Sequence, residues 1–413
     1  MILPRSREAC LELDAADPLP SRREMFRLPP GVIYLDGNSL GALTHAAAQR
    51  VQQTVEQQWG RDLITSWNVH GWIDMPTRLG ARIAPLIGAN ADEVAVCDST
   101  SVNLFKIAAA ATRHRGRRHK IVTERGNFPT DPYMLQGLVG LVPDLELVCA
   151  ERADIEAAID SQTFLVVLTH VHYGSAEMFD LAALTARAHA QGAQVLWDLS
   201  HSVGAVPVEL GAARADFAVG CTYKHLNGGP GAPAFMYVRH DLQADLAPVL
   251  SGWLGHARPF EFADDYIPAA GMTRHRCGTP PILSFAALDG ALSVFDGVDM
   301  ADVRRKAQLL IDLFIGLIDD MGMDTGLVLA SPRDAARRGS HVSFAHRDGY
   351  ALIQQLIKRG VIGDFRTPNL MRFGFTPLYL HYVDVWDAAQ ALREELEQWR
   401  EHGPPRVTRL AVT

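Results

Sequence analysis

In Val195-Leu196-Trp197-Asp198-Leu199-Ser200-His201-Ser202-Val203-Gly204 a short apolar run closes on the carboxylate of Asp198. It is followed by Cys221-Thr222-Tyr223-Lys224-His225 and the turn Asn227-Gly228-Gly229-Pro230-Gly231, which puts Lys224 26 residues after Asp198. A carboxylate at the end of a buried strand is costly unless it meets a cation. A lysine just beyond a second strand has the matching need. Both fall where α/β sheets build their ligand crevice, outside the carboxyl ends of the strands. Alone, the aspartate reads as a helix cap and the lysine as a solvated side chain. Together they read as one site.

Working outward, short β-branched runs alternate with helical ones, the pattern of a mainly parallel α/β sheet. Strands are expected at Val94–Cys97, Ile121–Thr123, Leu145–Cys149, Phe164–Thr169, Gln194–Trp197 and Phe217–Gly220, with 232–238 as an antiparallel return. Helices are expected at 102–112, 132–138, 153–159 and 182–190, and from a Thr44 cap to about Trp59. Past about Leu283, long amphipathic helices (301–321, 350–359, 384–401) alternate with two or three strands, including His341–Ala345 and 370–375. This suggests an N-terminal segment over residues 1–45 that packs with the small domain, a large α/β domain over 46–285 and a smaller α+β domain over 286–413. The stretch 330–339, with Arg333, Asp334, Arg337 and Arg338 beside Pro332, reads as a solvated loop.

One cofactor accounts for the lysine and the aspartate together. Pyridoxal phosphate needs a lysine for its Schiff base and an acid to keep its ring nitrogen protonated. Ser99-Thr100-Ser101 at a helix start offers N–H groups, hydroxyls and a positive dipole end to a phosphate. Phe128-Pro129-Thr130-Asp131 offers an aromatic face and a second carboxylate. The glycines after Lys224 permit close backbone approach to a planar ligand.

The Asp…His…Tyr-Lys arrangement with Gly-Gly-Pro-Gly resembles the fold-type I, aminotransferase class V group of pyridoxal phosphate enzymes, whose fold is aspartate aminotransferase-like. Within that group the chain resembles the kynureninases. The resemblance rests on the stretches at 34–41, 98–104, 128–131, 197–202, 221–231, 252–256 and 371–379, which run nearly end to end in family order. It implies that Lys224 is the Schiff-base lysine and Asp198 the partner of the ring nitrogen. Thr100 and Ser101 fall at phosphate-cradle positions and Phe128 at the ring-stacking position. Asp131, Thr169 and His201 match further cofactor-shell positions. Tyr223 matches a tyrosine that contacts the phosphate and donates a proton to the product carbanion. Trp253 and Thr279 correspond to residues reaching the cofactor from a neighbouring subunit, which implies a homodimer with shared active sites. Arg372 matches the arginine that grips the substrate's α-carboxylate through its two-pronged fork. Threonine at 279 is similar to the bacterial form, which leans to unsubstituted kynurenine. The implied reaction is hydrolysis of L-kynurenine, and less readily 3-hydroxy-L-kynurenine, to anthranilate or 3-hydroxyanthranilate and L-alanine. That places the chain in tryptophan catabolism, the kynurenine pathway and NAD biosynthesis. Other class V enzymes, an aminotransferase or a cysteine desulfurase or β-lyase, and a non-catalytic protein on this fold stay open as alternatives.

Composition sets the outer limits. The chain has 413 residues, enough for two or three domains. Its net charge of −8 gives no electrostatic reason to expect nucleic acid. The basic run Arg113–Lys120 reads as a solvated helix end. No apolar stretch is long enough to span a bilayer, and the N-terminus lacks the apolar core of a signal peptide. Five scattered cysteines without a C-x-x-C suggest free thiols in a reducing compartment, hence a cytoplasmic protein. His170-x-His172 would put two imidazoles on one strand face, but no third ligand follows, so no metal is expected. Cys277 is the one candidate for a desulfurase-type nucleophile, and its surroundings do not resemble that family. No nucleotide-binding glycine motif is present.

Overall fold

A computed structural model describes residues 4–19, 21–322, 324–404 and 407–410. Residues 1–3 and 411–413, the outer ends of the expected first and last segments, lie outside the described residues. In chain order the strands are β1 (Ile33–Tyr34), β2 (Val94–Val96), β3 (Lys120–Glu124), β4 (Glu146–Ala150), β5 (Thr163–Thr169), β6 (Gln194–Asp198), β7 (Phe217–Gly220), β8 (Phe235–Val238), β9 (Val328–Leu329), β10 (His341–Ala345), β11 (Val361–Ile362), β12 (Asp364–Arg366) and β13 (Leu370–Gly374). The helices are α1 (Arg7–Ala15), α2 (His45–Gln53), α3 (Ser66–Val69), α4 (Met75–Ile83), α5 (Thr100–Ala111), α6 (Thr130–Leu141), α7 (Ile155–Ala158), α8 (Leu181–Ala190), α9 (Ile282–Ala291), α10 (Met300–Asp319), α11 (Gly349–Lys358) and α12 (Tyr382–His402).

The main sheet has seven strands in the order β2-β8-β7-β6-β5-β3-β4. β8 runs antiparallel to both neighbours, and the β7-β6-β5-β3-β4 pairings are all parallel. Parallel strands covered on both faces read as continuous apolar runs, and every residue of β5 is buried. Trp197 anchors one side of β6, fully buried, its indole N–H donating to Thr185 Oγ1 of α8 at 3.1 Å. The expected strands and helices all form, with ends moved by a few residues.

A second sheet, β12-β13-β10-β9, is fully antiparallel, and β1 pairs with β11 in a two-stranded parallel ribbon. β9, β11 and β12 have two or three residues each, too few to show a period in sequence. The N-terminal segment docks on this part of the chain. Asp14, near the end of α1, accepts from the first backbone N–H groups of α12, Tyr382 at 2.6 Å and Val383 at 3.1 Å. The buried pair Lys306–Asp17 (2.7 Å) adds a charge contact with α10.

Three local expectations change. The helix begun by α2 does not run unbroken to Trp59: its last turns, Thr54–Trp59, widen to a π-helix. The 330–339 stretch is not a wholly solvated loop. Arg338 is fully buried, because its guanidinium caps the carbonyls of Pro332 (3.0 Å) and Arg333 (2.6 Å) and pairs with Asp312. His170 and His172 lie beyond the end of β5, so they do not share a strand face.

Candidate active site

The carboxyl ends of β5, β6 and β7 form the floor of a cavity of ≈ 120 Å³. Sheet register sets Thr169 beside Asp198, and Asp198 beside Val219 of β7, which feeds the Tyr223-Lys224 turn. α5 points its N-terminus into the same space. Ser99 caps it by accepting from Val102 N at 3.3 Å, and Thr100 and Ser101 form its first turn. Phe128 and Asp131 arrive from the loop after β3 and the first turn of α6. Thr100, Ser101, Phe128, Asp131, Thr169, Asp198, His201, Tyr223 and Lys224 all line this one cavity. Residues scattered over 125 positions of sequence meet there.

Lys224 Nζ lies 2.8 Å from His201 Nε2 and 5.9 Å from the ring centres of both Phe128 and Tyr223. Burial and the Lys224 charge hold His201 well below the usual imidazole range, so it is neutral and can accept from the lysine. Burial pushes Asp198 up against two opposing effects, a hydrogen bond from Ser200 N (2.8 Å) and the Lys224 charge. Burial, then the nearby Asp198, pushes Asp131 up still more clearly. Burial also drives the Tyr223 phenol upward, so it keeps its proton at neutral pH.

Gly229 and Gly231 of the turn take positive φ (+90° and +70°), which the turn demands. At Gly41 a Cβ would sit 2.1 Å from the Lys224 carbonyl. Gly41 N donates to the Tyr223 carbonyl at 2.7 Å, so the N-terminal segment presses on the lysine turn.

Arg372, on β13, is fully buried one layer behind the cavity. Its Nε and Nη2 both donate to Asp364, at 2.8 and 2.5 Å, so its fork is already engaged within the protein. Its Nη1 donates to the carbonyl of Tyr173, a cavity-lining residue, at 2.6 Å. Trp253 and Thr279 do not join the cluster. Trp253 is 42% exposed and packs edge-on against Phe260 at 5.9 Å, while Thr279 is exposed and borders a separate cavity with Cys277. The Cys277 thiol is raised by burial and points to the Leu250 carbonyl.

Several contributors were not singled out from sequence. Asn127 donates to Asp131 Oδ2 at 3.0 Å and accepts from Thr169 at 2.7 Å, tying α6 to β5. Tyr173 meets Phe128 edge-on at 5.4 Å. His341 of β10 stands 5.5 Å from His201, and Asp364 holds Arg372. No local signal marks Asn127, Tyr173 or His341. Nor does any mark Asp364, which the β12–β13 register sets directly opposite Arg372.

Comparison with known proteins bears on the family. Residues 303–392 match the Kynureninase C-terminal domain model. A kynureninase of Burkholderia mallei (strain SAVP1) is 50% identical over 417 residues, covering 99% of this chain and all of its own length. A kynureninase of Pseudomonas fluorescens is 52% identical over 401 residues, covering 95% of this chain and 96% of its own. Among solved structures, a cysteine desulfurase from Thermococcus onnurineus NA1 superposes with TM-score 0.76 at 19% identity, over 91% of this chain and 97% of its own, a likeness of fold alone. Half-identity along the whole length, on a fold with a lysine and an aspartate meeting at the sheet's carboxyl edge, settles the matter: the chain belongs to the kynureninase family.

Proposed function

We propose that the chain hydrolyses the Cβ–Cγ bond of L-kynurenine, giving anthranilate and L-alanine, with pyridoxal 5'-phosphate held in the cavity around Lys224. The observation that carries this reading is the convergence of Lys224, Asp198 and the α5 N-terminus on one cavity. The residues present fit that cofactor. Asp131 Oδ1 and His201 Nδ1 are buried there without a protein partner, and buried polar atoms call for one. The helix N-terminus suits a phosphate, the exposed Phe128 ring suits stacking, and Asp198 suits a protonated ring nitrogen.

When bound, the cofactor supplies a conjugated ring that draws electrons from the substrate's α-carbon and then from the Cβ–Cγ bond. Thr100, Ser101 and Tyr223 would hold its phosphate, Phe128 would stack on its ring, and Asp131, Thr169 and His201 would complete the polar shell. Asp198 keeps the ring nitrogen protonated. Lys224 would anchor the cofactor, make way for the substrate's amino group and, as a free amine, take the α-proton. Water adds to the γ-carbonyl, the Cβ–Cγ bond breaks and anthranilate leaves. Tyr223 would then deliver a proton to the β-carbon, and Lys224 would return a proton to the α-carbon and regain its place on the cofactor as alanine leaves. Arg372 receives the substrate's α-carboxylate.

Trp253 and Thr279, outside this cavity in their own chain, complete the site of a second copy, so the working unit is a homodimer. The division at residues 45 and 285 and a cytoplasmic location complete the proposal. No helix among the described residues is long and apolar enough to cross a membrane. The test is anthranilate fluorescence from cofactor-loaded protein with L-kynurenine, beside a Lys224→Ala variant. Rapid anthranilate with equal alanine, and loss of nearly all turnover in the variant, is expected. Turnover like the wild type's in Lys224→Ala would refute the lysine's role.

A further inference from the structure

Arg372 is held from several sides by the protein itself. A guanidinium has five N–H donors. Nε donates to Asp364 Oδ1, Nη2 to Asp364 Oδ2 and to Ser39 Oγ (2.9 Å), and Nη1 to the Tyr173 carbonyl. One N–H, on Nη1, is uncommitted. Asp364 is itself fixed: it accepts from Ser39 Oγ at 2.6 Å and pairs with Arg366 Nη2 at 2.7 Å, and the β12–β13 register places it directly opposite Arg372. Burial pushes the Asp364 carboxyl up, but Arg372 and Arg366 more than offset this and keep it below the usual range. Asp364 is therefore a permanent anion that holds the Nε–Nη2 edge.

The Nη1 contact is of another kind. The Tyr173 carbonyl, which it touches, is also bonded to His341 Nε2 at 3.1 Å. If a carboxylate took over Nη1, that carbonyl would keep one partner, and no buried acceptor would be orphaned. The exchange is cheap on the Tyr173 side and costly on the Asp364 side. We propose that Asp364 and Ser39 are positioning residues for Arg372: they clamp its Nε–Nη2 edge so that Nη1, exchanging the Tyr173 carbonyl for the substrate's α-carboxylate, is the edge that binds. This rests on the reading of Arg372 as the carboxylate-binding residue.

The test uses cofactor-loaded enzyme, with KM and kcat for L-kynurenine and the inhibition constant of kynuramine, the same skeleton without its carboxylate. Loss of a charge-assisted hydrogen bond is worth roughly tenfold or more in affinity. Asp364→Asn should raise KM about tenfold or more, with kcat within about threefold and kynuramine inhibition unchanged, because only uniform binding of the carboxylate is lost. Ser39→Ala, which leaves the Asp364 pair in place, should raise KM about threefold in the same selective way, by loss of one ordinary hydrogen bond, and it decides the matter if Asp364→Asn fails to fold. Unchanged KM in the folded variants, or kynuramine weakened as much as kynurenine, would overturn the proposal. Arg372→Lys separates the two levels. If it leaves KM unchanged, the reading of Arg372 falls. If it raises KM while Asp364→Asn and Ser39→Ala do not, only the positioning role falls.

Discussion

Tyr223 and Lys224 are adjacent in sequence and differ in what burial does for them. Lys224 has a neutral acceptor, His201, at 2.8 Å. The Tyr223 phenol is pushed up by burial first, then by Cys221 and Asp198, and so carries its proton throughout the neutral range. A group that stays protonated beside a lysine is a donor, not a base. Tyr223→Phe should therefore release anthranilate in a first turnover but form alanine slowly, and should hold the cofactor less tightly. Rapid-quench measurement of both products checks this. An alanine-forming step as fast as in the wild type would remove Tyr223 from the proton-donor role.

At the scale of elements, α5 does two jobs. Its N-terminus faces the cavity. One turn further on, Lys106 is buried, and its Nζ reaches Asp98 Oδ2 and the His275 carbonyl, each at 2.7 Å, and Asn103 Oδ1 at 3.2 Å. The lysine thus ties the loop that opens α5 to the segment leading to Thr279. Asp98 sits at φ +47°, an unfavourable backbone for aspartate that such a tie can hold. Because Asp98 stays partly exposed, removing the lysine costs less than breaking a fully buried pair, about 2 kcal/mol. Lys106→Met should lower thermal stability accordingly and weaken cofactor binding, since the cradle loop loses its anchor. Denaturant titration with and without cofactor measures both. A stability change below about 1 kcal/mol, the range of an exposed ion pair, would show that the tie carries little.

Across the whole molecule, neutral histidines cluster where the two sheets meet. His170 is lowered to about 4 and His225 to about 3, chiefly by burial, and His201 and His341 lie well below their ordinary value for the same reason. The unfolded chain takes up these protons near pH 6.5, whereas the folded chain refuses them until about 4 or below. The unfolded state thus binds more protons in that window, and stability falls as pH drops through it. The raised Asp131 and Asp198 carboxyls oppose this, since the folded chain keeps their protons to higher pH than the unfolded one, so the melting temperature should rise moderately from pH 4.5 to 6.5 and level off above. A flat profile would mean that these imidazoles are protonated in the folded state. The same meeting of sheets is held by β10, whose Ser343 donates to the Gly174 carbonyl at 2.5 Å beside the His341 contact with Tyr173.

By itself, the sequence determined the alternation of strands and helices, because apolar period and turn residues are local properties. It also marked Lys224 and Asp198, because a charge at a strand end is conspicuous wherever the strand goes. It could not show that Asn127 bridges Asp131 and Thr169, since the contact with Thr169 spans 42 residues. Nor could it show that Arg338 is buried, because a basic loop and a buried carbonyl cap have the same composition. The tertiary structure alone decided that Arg372 already grips Asp364, and that Trp253 and Thr279 stand apart from the cavity of their own chain. Such facts depend on strand register and on how the two sheets face each other, and chain neighbours do not encode that meeting.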